Sequence, residues 1–212
     1  MKTKTQYYAK SFEEDFVLKT LKNKKKVNFQ SIEDIVKKNI IKPNTNSFGR
    51  KRRLACSFIH KNYLKTYRSQ GLIFKTKQKP ELIYPFDLVI LADTDDIKVQ
   101  YYRIKNNLHF YYNHKLIPGF EQFVFKNIQS LIKKFTTLDK VWTEVNKFRV
   151  AGGHDVLLKS KFKLIQYNEV IFQKQVRITP VAVFGYKKNS RDMSRKLGLP
   201  HFRTAKDFYE SL

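Results

Sequence analysis

Apolar and polar positions change period several times along the chain, and each change marks an element. Ser11-Phe12-Glu13-Glu14 is a capping-box pattern, with Phe12, Phe16 and Leu18 opening an apolar face. Ser31-Ile32-Glu33-Asp34 repeats that signal ahead of Ile35, Val36 and Ile40. Residues 11–40 therefore predict two short helices on either side of Lys24-Lys25-Lys26, either a small DNA-binding element or an ordinary helical hairpin. A loop runs from Pro43 to Gly49. From about Leu54 to Gln70, Ala55, Phe58, Ile59 and Leu64 fall at helical spacing, and Gly71 stands where a helix stop is expected.

Strand signals come next. Leu72-Ile73-Phe74 is one short strand, and Leu82 to Ala92 a second and buried one. After a turn at Asp93 to Asp96, Ile97 to Lys105 alternates as a third, and Asn106-Asn107 turns the chain back into Leu108 to Ile117. Pro118-Gly119 breaks the sheet. An amphipathic helix is predicted from Phe120 to Phe135 through Val124, Ile128 and Leu131, and another from Leu138 to Phe148. Strands then return at Asp155 to Leu158, Lys163 to Tyr167, Val170 to Ile178 and Val181 to Phe184. Asn189-Ser190 caps a helix that Gly198 and Pro200 end, and Thr204 opens a last one. Together these predict an α/β (or α+β) fold, a mixed central sheet flanked by helices. The expected division is a helical N-terminal appendage over residues 1–50 and a mixed nucleic-acid-binding core over 51–212.

Composition adds a partner to this picture. Of 212 residues, 42% are hydrophobic, enough for a packed core and too many for a disordered basic tail. Lysine and arginine total 43 against 18 acids, a net charge of +25. Such an excess opposes folding by self-repulsion and favours a polyanion, nucleic acid above all. Codon bias toward lysine is the competing source of the cations, but it does not thin out the acids. The single Cys56 rules out an internal disulfide and a multi-cysteine zinc site. The apolar runs, such as Leu88 to Ala92, are too short to span a membrane, and Met1-Lys2-Thr3-Lys4 opens no apolar signal segment. The expected location is intracellular, cytoplasmic or organellar, without a membrane partner and not secreted.

Candidate chemistry concentrates between residues 50 and 112. Arg50-Lys51-Arg52-Arg53 is the densest positive run, and at a helix start it would oppose the macrodipole unless an anion met it. The middle third of the chain is the least basic and holds Asp93, Asp95 and Asp96, which fit a metal centre or a polar turn. Tyr101 and Tyr111, beside Tyr102 and Tyr112, fit base stacking on a hairpin or core packing. His109 and His114 fall on opposite faces of an alternating strand, which suits backbone-paired histidines better than metal ligands.

The succession of a helix, a strand, Pro85-Phe86-Asp87-Leu88-Val89 and Ile97-Lys98-Val99-Gln100 resembles the PD-(D/E)XK nuclease superfamily, which includes Holliday-junction resolvases and many restriction enzymes. The family pattern is a helix, a strand, an Asp opening the next strand, and a Glu or Gln-x-Lys on the strand after it. The resemblance implies a restriction-endonuclease-like core that hydrolyses phosphodiesters with Mg²⁺, DNA being favoured over RNA, and a homodimer. Asp87 and Gln100 would be the metal ligands. Tyr102 stands where the family lysine belongs, and Lys98 and Lys105 are its nearest substitutes. Two oxygens on adjacent strands would hold the ion while a lysine helps activate the attacking water. Arg50, Lys51, Arg52 and Arg53 would hold backbone phosphates. Pro180 to Phe184 followed by Arg195-Lys196-Leu197-Gly198-Leu199 is similar to the strand–helix ending of Mrr-type endonucleases. A second placement uses Gly152-Gly153-His154-Asp155 with Gln175-Val176-Arg177. The alternative to an enzyme is a non-catalytic RNA-binding or ribosomal structural protein using the same basic surface.

Overall fold

Tyr7–Ser11 forms a strand, β1, whose alternate side chains pack on both faces of a sheet. In the computed structural model, which describes residues 5–12, 30–43, 53–66, 69–86, 99–104, 107–112, 115–116, 118–150 and 168–212, the architecture is mixed α/β and mostly antiparallel. Over 99–116 and at 149–150 the description is of the backbone alone. The chain divides into two units. One comprises residues 1–42, 56–79 and 174–212, and the other 43–55 and 80–173. The division does not follow a boundary at residue 50, because β1 lies inside the sheet of the first unit.

In that first unit, β1 sits between β3 (Leu54–Ile59) and β4 (Gln70–Lys75), and β4 pairs with β11 (Thr179–Gly185). All three pairings are antiparallel, while β12 (His201–Phe202) adds to β11 in parallel. Register explains the burial pattern. Ala9 opposite Ile73, with Ala182, Phe184 and Ile59, faces Ala205 and Phe208 of α5 (Ala205–Glu210). On the other face Tyr8 stacks on Phe74 with ring centroids 5.7 Å apart. Val181 is a bulge residue beside Pro180, where a strand tolerates a missing N–H.

Two helical expectations are corrected here. Ser11 ends a strand opposite Gly71 and does not cap a helix. Leu54–Ile59 is a strand, a turn follows at His60–Tyr63, and the next strand opens at Gln70. The reason is physical: a strand with apolar neighbours on both faces reads as a continuous apolar run, and such a run matches helical spacing by accident. Gly71 accordingly stops no helix. It lies opposite Phe184, and a Cβ there would come within 2.2 Å of the Lys10 carbonyl and 2.7 Å of the Phe184 ring.

The other elements of this unit follow their local signals. Ser31 caps α1 (Ile32–Lys38), which ends at Asn39 in the left-handed region with φ 53°. Ile40–Ile41, β2, pairs with β10 (Val176–Arg177). Gly198 closes α4 (Lys188–Leu197) with φ 63°, and its N–H and that of Leu199 bond back to Arg195 and Ser194. Thr204 and Asp207 form a reciprocal capping box on α5.

In the second unit, β5 (Leu82–Tyr84) pairs with β9 (Glu169–Phe172), while β6 (Val99–Ile104), β7 (Asn107–Tyr112) and β8 (Lys115–Leu116) form a three-stranded meander. The helix expected from Phe120 to Phe135 is broken. Gly119 at φ 80° leads a 3-10 turn over Phe120–Phe123, Phe125 bridges to Ile83, and Asn127 recaps α2 (Ile128–Lys134). The helical spacing of those apolar residues arises from packing instead, since Phe120, Phe123 and Phe135 meet in one aromatic cluster with Phe86 and with Phe148 of α3 (Leu138–Val150). Segments expected as strands at 155–158 and 163–167 lie outside the described residues.

Two outcomes test this packing. Gly71→Ala lowers stability by about 2–3 kcal/mol in urea unfolding, because neither the Lys10 carbonyl nor the Phe184 ring can yield without disturbing the ladder. Burial raises the pKa of Tyr63, and burial followed by the nearby Cys56 raises that of Tyr8, both above the ordinary value of about 10. The native state therefore holds these phenolic protons more tightly than the unfolded chain does. Stability is intact below about pH 10 and falls as pH rises above it. Tyr63→Phe, which also removes a buried hydroxyl that has no hydrogen-bond partner among the described residues, flattens the loss of urea midpoint between pH 9 and 11.

Candidate nucleic-acid interface

A polyanion is held by cations that are exposed, close together and free of competing acids. Those conditions meet where β4 and β11 run past their last paired residues, Lys75 opposite Thr179. Beyond that point side chains continue the work of the ladder. The Thr76 hydroxyl donates to the Arg177 carbonyl at 2.7 Å, and Gln78 clasps the facing chain twice. Its Nε2 donates to the Gln175 carbonyl at 3.2 Å, and its Oε1 accepts from the Arg177 N–H at 2.5 Å. On the other side β10 pairs with β2, Val176 opposite Ile41. Gln30 fixes that edge by donating to the Ile40 carbonyl at 2.7 Å and accepting from the Lys42 N–H at 2.9 Å.

This pinned backbone carries Lys42, Lys77, Lys79, Lys174 and Arg177, all exposed. None of the five is in an ion pair among the described residues. The described acids of the first unit are Glu33, Asp34, Asp192, Asp207 and Glu210, and every one lies on a helix. Glu33 pairs with Lys196, Asp34 with Lys38, Asp192 with Arg195 and Glu210 with Lys206, while Asp207 is spent on its capping box. Acid is thus used to offset the cations of the helices, and the 76–79 and 174–177 segments are left positive. Each exposed pair is worth little in stability, but it removes local charge.

The residues singled out in the sequence fare differently. Asp87, Lys98, Lys105, Arg50, Lys51 and Arg52 lie outside the described residues, as do Asp93, Asp95 and Asp96. Gln100 is on β6 opposite Tyr111, and Tyr101 is opposite Phe110. The two tyrosines therefore do not share a register position. β5, the strand that leads toward Asp87, pairs with β9, and β6 pairs with β7. The helix that opened the nuclease pattern is a strand. No group of three or more His, Cys, Asp or Glu side chains that could hold a metal ion occurs among the described residues.

Arg53 is a correction. Its side chain is buried, and Nε is 3.1 Å from the Glu81 carboxylate, itself largely covered. A guanidinium held inside the second unit by a carboxylate is a structural ion pair and not a phosphate contact. In the second placement, Val176 is fully buried on β10, whereas Gln175 and Arg177 belong to the basic ribbon. The ribbon had a visible signal, the alternating Lys75-Thr76-Lys77-Gln78-Lys79 and the polar Gln173-Lys174-Gln175. What the sequence did not supply was that these two segments, nearly a hundred residues apart, lie side by side.

No protein-family model matches the chain, and comparisons with curated proteins and with solved structures likewise find no match. No helix among the described residues is long and apolar enough to cross a membrane.

Arg53→Ala lowers stability by about 3 kcal/mol in urea unfolding, because the largely covered Glu81 carboxylate loses the guanidinium beside it. The same variant, where folded, binds polyanions as the parent does in a gel-shift titration.

Proposed function

We propose that this protein binds nucleic acid through the pinned basic ribbon formed by residues 76–79 and 174–177 with Lys42. The observation that carries the reading is the segregation of charge: exposed cations on a rigid backbone with no acid among them, in a chain of net +25. Preorganisation matters because loops already held by Thr76 and Gln78 lose little further freedom when phosphates bind. Phosphate contacts of this kind hold a strand in place without reading its sequence. The hydrolytic version of the reading, Mg²⁺-dependent cutting of DNA at Asp87 and Gln100 by a restriction-endonuclease-like core, has no described side chain to support it. The proposal is therefore confined to binding, and DNA and RNA are arms of its test.

The test is a titration of the full chain with duplex DNA, single-stranded DNA and RNA across a range of salt, with Mg²⁺ added in parallel to read cleavage. Five phosphate contacts give a log–log salt slope of about −3.5 to −4.5. The triple variant Lys77→Glu, Lys79→Glu, Lys174→Glu loses affinity about tenfold or more at low salt and has a shallower slope. Arginine at the same three positions keeps both, since the charge is retained. Absence of any complex in dilute buffer, or a salt-independent one, sinks the proposal.

A further inference from the structure

One tyrosine stands outside the core that takes in the others whose side chains are described. Tyr8, Tyr63 and Tyr84 are buried, and Tyr7 and Tyr209 pack against the cluster around Ala9, Phe184 and Phe208. Tyr186 is 58% exposed, and its side chain makes no ring contact or hydrogen bond among the described residues. It lies between the end of β11 and Lys187, the residue that caps α4. An apolar side chain in that place commonly packs on the fourth residue of the helix. Here the fourth residue is Arg191, itself exposed, so the usual apolar partner is replaced by a cation.

The backbone on both sides of Tyr186 is pinned. His201 Nε2 is 3.0 Å from the Gly185 carbonyl and must be the donor, because a carbonyl can only accept. On the other side the Ser190 hydroxyl donates to the Lys187 carbonyl at 2.6 Å, and the Ser190 N–H reaches the same oxygen at 3.1 Å. The turn is also closely packed: a Cβ on Gly185 would come within 2.7 Å of Ser190 Oγ and 2.9 Å of Gln70 Cβ. Tyr186 is therefore displayed from a fixed base, and a ligand that covers its ring need not order the backbone as well.

The surroundings select the ligand. Lys188 and Arg191, three residues apart on α4, share a helix face, and both are exposed with no ion pair among the described residues. The one acid of this helix, Asp192, is taken by Arg195 at 3.5 Å. An uncovered aromatic ring beside unpaired cations matches a ligand that is flat and apolar in one part and anionic in the next. A nucleotide with its base unpaired has that composition, whereas a duplex keeps the faces of its bases stacked inside.

We infer that Tyr186 is a stacking platform for an unpaired base of a single-stranded nucleic acid, with Lys188 and Arg191 holding the adjoining phosphates. The inference rests on the nucleic-acid reading above and deepens it: the basic ribbon holds any phosphate backbone, and Tyr186 adds a preference for strands with free bases.

The experiment titrates the full chain with a single strand, with a matched abasic strand carrying the same number of phosphates, and with a blunt duplex. The parent binds the single strand about tenfold more tightly than the abasic one, the worth of one stacked base. Tyr186→Ala removes that difference while leaving abasic and duplex affinities unchanged, a split that a merely structural role would not produce. Tyr186→Trp keeps the difference. Lys188→Ala with Arg191→Ala weakens all three complexes and makes the salt dependence shallower. A parent that binds abasic and base-bearing strands alike, or a preference that survives Tyr186→Ala, overturns the stacking role and leaves the basic ribbon standing. Absence of any complex with all three overturns both.

Discussion

The pairing of β4 with β11 is the interaction on which the rest of the first unit depends. Phe184 occupies the space that Gly71 leaves by having no side chain, and the Lys10 carbonyl of β1 closes the same space from the other side. Three strands are thereby locked around one missing Cβ. The candidate binding ribbon continues from one end of this ladder. Past Lys75 and Thr179 it continues as the side-chain-clasped basic ribbon, and at Gln70 and Gly185 it opens into the turn that leads into α4. Five residue steps of strand separate the two ends, about 17 Å. Whatever loosens the ladder moves both.

A chain so positive has to place its few acids with care, because each one either offsets a nearby cation or weakens attraction for a polyanion. The first unit uses its described acids on helices, as ion pairs with neighbouring lysines and arginines or as a cap. In the second unit, Glu81 is used to cover Arg53, a residue that otherwise belongs to the densest basic run of the sequence. Neither use adds much net stability by itself. Their effect is distribution: positive charge is neutralised on the helices and around Arg53, and it is left uncompensated on the ribbon.

Much of the fold was legible where the signal is local. Thr204 with Asp207, Ser31, and Gly198 followed by Pro200 mark helix ends through hydrogen bonds closed within a few residues, and the structure places helix ends at each. The meander over Val99–Tyr112 followed from alternation and a turn signal for the same reason. The stretch from Leu54 to Gln70 was misread because burial on both faces erases the two-residue period that identifies a strand. Phe120 to Phe135 was misread because aromatic residues converging on one cluster happened to share helical spacing.

The candidate site was legible only in its chemistry. Composition by itself determined that cations outnumber acids, because net charge needs no geometry. It also determined which residues can cap, turn or bulge, since those preferences belong to single residues and their neighbours. Only the tertiary structure decided that Arg53 is enclosed beside Glu81 while Lys77 and Lys174 stand exposed on facing segments. It alone set Gln70 opposite Gly185. Which cations face solvent, and which distant segments share an edge, are set by strand order and register, and these depend on contacts between residues far apart in the chain.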